Sequence, residues 1–204
     1  IPIVMSIKNK DTLALEHAWW LDENFDNVSR RVINLEKIFH EFENASNYLG
    51  ADSKLAFANS RSRLRMMMLY QVAQSNNGLV VGTGNKVEDF GVGFYTKYGD
   101  GGVDISPIAD CMKTDVWKIA KELNILQSIQ EAKPTDGLWD DGRTDEDQLG
   151  MSYEELEKAM KQDQMGAIVT KPSDQERMSI YMKHRKQNLH KMEPIPVCSM
   201  EKFK

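Results

Sequence analysis

The sequence predicts an α/β protein whose Rossmann-like parallel sheet is covered by helices on both faces. Short apolar runs alternate along the chain with longer segments of helical periodicity, which is the order typical of parallel sheets. The shortest runs, such as IPIVM and LVV, are wholly apolar, as expected of strands that are buried on both faces. A glycine-rich polar loop follows one of these runs, and open α/β sheets bind ligands at such loops. The three observations together indicate a ligand-binding α/β domain.

Length and composition are those of an ordinary globular protein. The 204 residues suit a single domain over positions 1–204. The net charge of -5 gives no reason to expect a nucleic-acid partner, and no apolar run approaches the roughly 18 residues of a membrane span. No signal peptide is recognisable, so a cytoplasmic location is expected. Cys111 and Cys198 lack CxxC spacing, and we expect reduced thiols rather than a disulfide or a zinc site.

The first part of the chain is predicted to alternate strands and helices. Asp11 is the expected cap of the first helix, and Gly50 is the expected end of the second. The predicted elements are a strand over 1–5, a helix after Asp11, a strand over 28–35 and helices over 36–49 and 53–75. This β-α-β-α order, continued by the long helix into the next strand, favours parallel pairing.

Two more strands, over 79–81 and 103–108, are predicted to flank the glycine-rich loop. Its glycines allow backbone to approach a ligand closely, and its lysines and carboxylates supply charge. Thr114 is the expected cap of a helix over 115–123. The predicted buried stripe of that helix is Val116, Ile119, Ala120 and Leu123. Lys113 then precedes a helix N-terminus, which is a favourable place for phosphate.

The last third of the chain is predicted to hold an exposed loop and two capped helices. Residues 133–148 are the least periodic and most polar stretch, and the acids at 145–147 are expected to be solvated. Ser152 and Ser173 are each followed three residues later by glutamate, a capping box that predicts a helix after each serine.

The glycine-rich loop also carries a resemblance. GTGNKVEDFGVGFYTKYGDGG, followed by ISPI and a Lys-Thr pair, resembles the core of the NAD synthetases, which are ATP pyrophosphatases. The resemblance extends from IPIVM through SRSRLRM and KPTDGLW to HKMEPIPVC, so it covers nearly the whole chain. It implies the adenine nucleotide alpha hydrolase-like variant of the predicted fold, and it favours the synthetases over a GMP synthetase-like domain because of KYGDGG.

The resemblance implies an activity and a set of site residues. ATP would activate the nicotinate carboxylate of deamido-NAD as an adenylate, and ammonia would then give NAD and AMP. Glu88 would bind Mg²⁺, and Lys113 would stabilise charge. The residues implied for ATP are Thr83, Lys113 and Thr135, and those implied for deamido-NAD are Arg63, Lys97, Asp104, His190 and Lys191. From residue type and spacing alone, Glu88 is a weak metal candidate and the arginines at 61, 63 and 65 favour solvent, although one of them can turn inward toward an anion.

One departure from the family pattern is large. The phosphate-binding sequence Ser-Gly-Gly-x-Asp-Ser, whose strand would lie between the strands at 1–5 and 79–81, is absent from these 204 residues. The domain is therefore expected to be incomplete at its N-terminus, lacking its first strand, and the 204 residues alone are expected to be inactive.

Several alternatives stay open at this point. The chain could instead be a catalytically silent nucleotide-binding or dimerising remnant, or another amidotransferase of the ATP pyrophosphatase type. Ammonia could be taken up free or be delivered by a glutaminase domain. A homodimer is expected, because the adjacent Trp19 and Trp20 cannot both be buried in one core face and because the family is dimeric.

Overall fold

The computed structural model of the protein describes residues 1–8 and 12–203. Asp11, the predicted cap of the first helix, lies outside the described residues. The strands and helices are β1 (Ile3–Ser6), α1 (Thr12–Asn24), β2 (Arg31–Asn34), α2 (Glu36–Tyr48), α3 (Lys54–Ser75), a π-helix (Val87–Val92), α4 (Lys113–Glu122), α5 (Gln127–Gln130), α6 (Asp145–Leu149), α7 (Tyr153–Gln164), α8 (Pro172–Met192) and a 3-10 helix (Met200–Phe203).

The strands pair in parallel, as the β-α-β order predicts. β1 pairs with β2 from Ile3 opposite Arg31 to Ser6 opposite Asn34. The segments predicted as strands over 79–81 and 103–108 also meet in parallel, but in a single isolated bridge between Val81 and Ile105. Parallel pairing is therefore confirmed, and the regular strands are shorter than predicted.

The first core cluster lies where the β1–β2 pair meets α2 and α3. Met5, Ile7, Leu35 and Phe39 are buried there, and side chains of α3 pack against them. The long helix α3 starts after Ser53, whose hydroxyl accepts the backbone N–H of Ala56 as an N-cap. This cluster fixes α3 against the strand pair.

The second core cluster joins the π-helix to α7 and α8. Its fully buried side chains include Val87, Val92, Leu156 and Tyr153, with Tyr181 of α8 at 1% exposure. The capping box at Ser152 is confirmed, because the Ser152 hydroxyl accepts the N–H of Glu155 and the Glu155 carboxylate accepts the N–H of Ser152. A π-helix is rare and frequently marks a functional site.

Two predicted helix starts are wrong. Thr114 lies inside α4, which follows Met112, and its side chain and backbone N–H both bind a carboxylate on α7 instead of capping its own helix. Likewise, α8 starts at Pro172 after Lys171, so Ser173 is already helical. Proline is well suited to a first helical position because it has no N–H to satisfy there, and it displaces the predicted cap.

Two predictions about burial are also wrong. The predicted stripe of α4 is not buried, and Leu123 is 63% exposed. The side chains through which α4 contacts α7 are instead Thr114 and Trp117, which lie outside that stripe. In the predicted loop at 133–148, the last residues form α6, and Asp145 is only 6% exposed. No helix among the described residues has the length and apolar character needed to cross a membrane.

Candidate functional site

Glu88 and Lys113 form a half-buried ion pair between the π-helix and α4. Lys113 Nζ lies 2.9 Å from Glu88 Oε1, and the side chains keep 17% and 15% of their exposure. Glu88 sits at this position because Asn85 Oδ1 accepts the backbone N–H groups of Val87 and Glu88 and so fixes the start of the π-helix. The structure thus brings the predicted metal ligand into contact with the predicted ATP-binding lysine.

Tyr153, the first residue of α7, joins this pair to a second carboxylate. Its hydroxyl donates toward Glu88 Oε1 at 2.7 Å and Asp145 Oδ2 at 2.8 Å. Lys113 Nζ lies 4.7 Å from the centroid of its ring. Burial, together with the charges of Glu88 and Asp145, raises the pKa of Tyr153, so its hydroxyl keeps its proton. That single proton can serve only one of the two carboxylates at a time.

Asp145, the second carboxylate, is buried and only partly hydrogen-bonded. Burial raises the pKa of Asp145, and its Oδ1 atom is buried without a hydrogen-bond partner among the residues that the structure describes. A protonated Asp145 can donate to the Tyr153 oxygen while Tyr153 donates to Glu88. The expectation that Asp145 is a solvated surface acid is therefore wrong, because Asp145 is only 6% exposed and is bonded by Tyr153, a member of the second core cluster.

The donor atoms of Glu88 fit a Mg²⁺ ion that shares its coordination with phosphate oxygens and water. Both side-chain contacts of Glu88 fall on Oε1, and within residues 1–8 and 12–203 no hydrogen bond occupies Oε2. Mg²⁺ is commonly held by one or two carboxylates together with substrate phosphates. No group of three or more His, Cys, Asp or Glu side chains in the described chain could hold a metal by itself. A metal at Glu88 would therefore take most of its ligands from substrate and solvent.

The second part of the site is a cavity of about 410 Å³, called here the cationic cavity, whose wall contains three cationic side chains and also the carboxylates of Asp100 and Asp136. Arg63, Lys97, His190 and Lys191 all lie in its wall, so four of the five residues implied for deamido-NAD meet there. Arg63 Nε donates to the Lys97 carbonyl at 3.2 Å, and Lys97 Nζ donates to the His190 carbonyl at 2.7 Å. Lys191 Nζ donates to two carbonyls of the loop after the π-helix, at 2.8 and 2.7 Å. Burial lowers the pKa of Lys191.

Asp104, the fifth of these residues, lies outside the lining of that cavity. Its carboxylate accepts the Tyr70 hydroxyl at 3.2 Å and the Val80 backbone N–H at 2.8 Å. Asp104 thereby links Val80, the residue before the bridge at Val81, to Tyr70 of α3. Its implied contact with deamido-NAD stays a prediction.

The two threonines implied for ATP lie in neighbouring cavities. Thr83 lines a cavity of about 340 Å³ together with Met5 and Val81, and Thr135 lines one of about 490 Å³. The Thr135 hydroxyl donates to the Arg143 carbonyl at 3.1 Å. Asp136 lines both of these cavities and the cationic one as well, so it marks where the three meet.

The arginines of α3 differ in burial, as their spacing indicates: Arg61 and Arg65 lie on one face of the helix and Arg63 points away from it. Arg61, at 5% exposure, is the guanidinium that turns inward, where it donates to the Leu138 carbonyl at 2.8 Å and pairs with Asp140 at 3.1 Å. Arg63 is more exposed and faces the cationic cavity. The inward arginine therefore holds the loop that carries Thr135, while the implied substrate arginine remains accessible.

Sequence reasoning missed several residues of the site. Glu157 is buried and accepts both the backbone N–H and the hydroxyl of Thr114 at 2.9 Å. Asp136, Asp145 and Tyr153 were missed as well. A usable signal existed for Tyr153, because it lies at helical spacing with Leu156 and Met160, and a tyrosine buried on such a face usually finds a partner for its hydroxyl.

Comparison with known proteins decides the family. The family model described as NAD synthase matches residues 1–195, which is nearly the whole chain. The chain belongs to the NAD synthase family. A relative from Thermoplasma acidophilum named NH(3)-dependent NAD(+) synthetase is 38% identical over 160 residues, which are 78% of this chain and 64% of the relative. This family member thus spans less than two thirds of that relative's length.

Solved structures of other proteins share the fold of this chain. The structure of NMN synthetase from Francisella tularensis superimposes with a TM-score of 0.79 at 29% identity, covering 97% of this chain and 77% of that one. NH3-dependent NAD synthetase from Campylobacter jejuni, solved in complex with nitrate, gives a TM-score of 0.74 at 22% identity with the same coverage. These likenesses confirm the Rossmann-like parallel fold of the adenine nucleotide alpha hydrolase type.

Proposed function

We propose that the protein containing this chain uses ATP and ammonia to amidate deamido-NAD to NAD, releasing AMP and pyrophosphate. The observation that carries the proposal is that one continuous segment serves both parts of the site. The π-helix holds Glu88 against Lys113, and the residues directly after it form the wall of the cationic cavity. The family match supports the reaction type, and ammonia is the nitrogen donor in the name of the Thermoplasma acidophilum relative.

The proposed reaction has two steps that this arrangement can assist. The nicotinate carboxylate attacks the α-phosphorus of ATP and pyrophosphate leaves, after which ammonia attacks the acyl carbon of the adenylate and AMP leaves. Lys113 is a compact positive charge suited to the negative charge that develops on the phosphates in the first step. The hydroxyls of Thr83 and Thr135 are donors for ATP, and Glu88 would hold Mg²⁺, which supplies further charge neutralisation when bound.

The cationic cavity is proposed to bind the dinucleotide. Arg63 can contact a phosphate in a planar, bidentate manner, whereas Lys97 and Lys191 act as point charges. The lysine ammonium groups now bind backbone carbonyls, so each keeps a defined position from which a proton of the ammonium can reach an anion. His190 adds a further polar side chain to the wall of this cavity. Asp104 lies outside that wall, and a contact between its carboxylate and another part of deamido-NAD remains part of the proposal.

A second candidate substrate is nicotinate mononucleotide. It is favoured by the Francisella tularensis structure, a protein named for NMN synthesis, with which this chain shares 29% identity. The reaction chemistry would be unchanged, and only the adenylyl half of the substrate would be missing. The two candidates are separated by comparing kcat/KM for deamido-NAD and nicotinate mononucleotide, at saturating ATP and ammonia, while AMP and pyrophosphate are quantified.

The outcome of that assay is specific. The proposal expects AMP and pyrophosphate in equal amounts with the amide, only when ammonia is present, and a kcat/KM that is higher for deamido-NAD. A preference for the mononucleotide would transfer the proposal to the second candidate. Absence of AMP with either substrate, from folded protein that still binds ATP, would instead indicate a silent nucleotide-binding protein.

We also propose that residues 1–204 act as one domain, and that the protein is a cytoplasmic homodimer. Trp19 is 51% exposed, and it lines an apolar groove between α1 and the start of α5 together with Leu15, Trp20 and Leu126. A second copy of the chain is the proposed cover for this groove. Cys111 and Cys198 are free thiols, which suits a reducing compartment. Sedimentation of the wild type and of Trp19→Ser tests the dimer.

A further inference from the structure

We propose that Tyr153 and Glu157 are positioning residues, which hold the Glu88–Lys113 pair in the orientation that receives Mg²⁺ and ATP. This inference rests on the proposed function of that pair. The two residues lie four apart on α7, so their side chains project from one face of the helix. Each is nearly fully buried, at 0% and 5% exposure. Tyr153 contacts the pair itself, and Glu157 contacts Thr114, the residue after Lys113.

Tyr153 contacts both members of the pair at once. Its hydroxyl donates to Glu88 Oε1 at 2.7 Å, and its ring face lies 4.7 Å from Lys113 Nζ. The ring itself is held by an edge contact with Trp117, at 6.2 Å between centroids and an interplanar angle of 82°. A donor on Oε1 orients the carboxylate so that Oε2 stays available. Without this donor, Lys113 would be the remaining side-chain partner of Glu88 among the residues that the structure describes.

Glu157 acts on Lys113 indirectly, through the backbone of the next residue. It accepts the N–H and the hydroxyl of Thr114, both at 2.9 Å, in the first turn of α4. Lys113 is the residue immediately before Thr114, so the clamp fixes the point from which the lysine side chain departs. A carboxylate near a helix N-terminus also interacts favourably with the helix dipole. The two residues of α7 therefore hold the side chain of Glu88 and the backbone next to Lys113 in place.

The chain offers a matched control for Tyr153. Tyr181 of α8 belongs to the same core cluster and is 1% exposed, and its hydroxyl bonds Asp163 at 3.4 Å, away from the pair. Replacing either tyrosine with phenylalanine removes one buried hydroxyl from the same cluster. Only the Tyr153→Phe change removes a contact to Glu88.

The experiment measures metal binding directly. Mn²⁺, which is visible by electron paramagnetic resonance, is titrated into the purified protein in the presence of a non-hydrolysable ATP analogue. We expect Tyr153→Phe to weaken Mn²⁺ binding about tenfold, on the scale of one hydrogen bond to a charged group, and Tyr181→Phe to leave it unchanged. In steady-state kinetics, the KM for Mg²⁺-ATP should rise more than kcat falls.

Glu157 is tested by a pair of variants. Glu157→Gln keeps an acceptor for the Thr114 N–H and can also bond its hydroxyl, whereas Glu157→Leu removes both contacts. The KM for Mg²⁺-ATP is expected to rise about tenfold in Glu157→Leu and to be largely restored in Glu157→Gln. Equal effects of the two variants would contradict a positioning role.

Glu88→Gln separates this inference from the proposed function. If Glu88→Gln weakens Mn²⁺ binding but Tyr153→Phe binds as the wild type does, the positioning inference alone is overturned. Equal losses in Tyr153→Phe and Tyr181→Phe would overturn it too, since they would reflect general loosening of the core. If Glu88→Gln itself binds Mn²⁺ normally, the metal role proposed for Glu88 is wrong.

Discussion

The hydroxyl of Ser62 anchors the KYGDGG loop to α3, and its removal should have a measurable cost. Ser62 is 7% exposed, its hydroxyl donates to Asp100 Oδ1 at 2.6 Å, and it also accepts the Asp100 backbone N–H at 3.0 Å. One of these bonds is charge-assisted, a class that contributes about 1.5 to 3 kcal/mol, and the neutral one contributes about 0.5 to 1.5 kcal/mol. Asp100 is exposed, however, so water can replace part of what is lost.

For Ser62→Ala we therefore expect a loss of about 1.5 to 2 kcal/mol in the free energy of unfolding. The substitution removes a single oxygen and leaves almost no cavity, so packing loss adds little. The same loop carries Lys97 in the cationic cavity, so the KM for deamido-NAD should rise as well. Urea unfolding, followed by circular dichroism, and steady-state kinetics measure the two effects.

Ser75→Ala is the control for this prediction, because Ser75 is an exposed serine at the end of the same helix. Its hydroxyl bonds the Gln71 carbonyl, and its loss should cost less than about 0.5 kcal/mol. If Ser62→Ala were no more costly than Ser75→Ala, the loop would not be anchored by Ser62. A large stability loss with an unchanged KM would keep the anchor and refute its link to the cavity.

Three further predictions concern charged groups. Lys113→Ala should lower kcat/KM for ATP about ten- to a hundredfold, whereas Lys118→Ala, on the exposed side of the same helix, should leave it unchanged. Arg63→Ala should mainly raise the KM for deamido-NAD on the same scale, and an exchange of these two effects would refute the division of the site. Burial, then the charges of Glu88 and Asp100, raise the pKa of Asp89 from 3.8 to about 6. The contribution of Asp89 to stability is therefore complete below pH 3.8 and is lost as the pH rises through about 6. Over this interval the free energy of unfolding of the wild type, measured in EDTA, should fall by about 1 kcal/mol relative to that of Asp89→Asn, after allowance for solvent screening. Parallel pH profiles of the two proteins would contradict it.

Local sequence signals predict helices well where the groups that start and end the helix are close neighbours in sequence. The long helix α3 matches the prediction to within one residue, because it has a strong cap at Ser53 and a turn signal after Ser75. The capping box at Ser152 holds for the same reason: both of its partners lie within one turn. The predicted caps at Thr114 and Ser173 are wrong because a cap depends on the residues around it. The Thr114 hydroxyl bonds a carboxylate of α7, and the helix near Ser173 starts one residue earlier, at a proline.

The site shows the same division between local and tertiary causes. The family resemblance implied six residues that the structure brings together in two groups, namely Glu88 with Lys113, and Arg63 with Lys97, His190 and Lys191. The acidic and polar neighbours of Asp145 in sequence predict a solvated side chain, yet Tyr153 bonds Asp145 and only 6% of the residue is exposed. Burial depends on which elements pack together, and that information is spread over 65 residues between Glu88 and Tyr153.

The sequence by itself determined the class of fold, the parallel order of the strands and the family, because periodicity, caps and a contiguous glycine-rich motif are local properties of a chain. Only the tertiary structure decided which side chains hold the site. The packing of α7 places Tyr153 against Glu88 and Glu157 against Thr114, and α3 turns Arg61 inward while it leaves Arg63 at the cavity. Such contacts depend on distances of about 3 Å between atoms that are far apart in sequence, and they form only when the helices have packed.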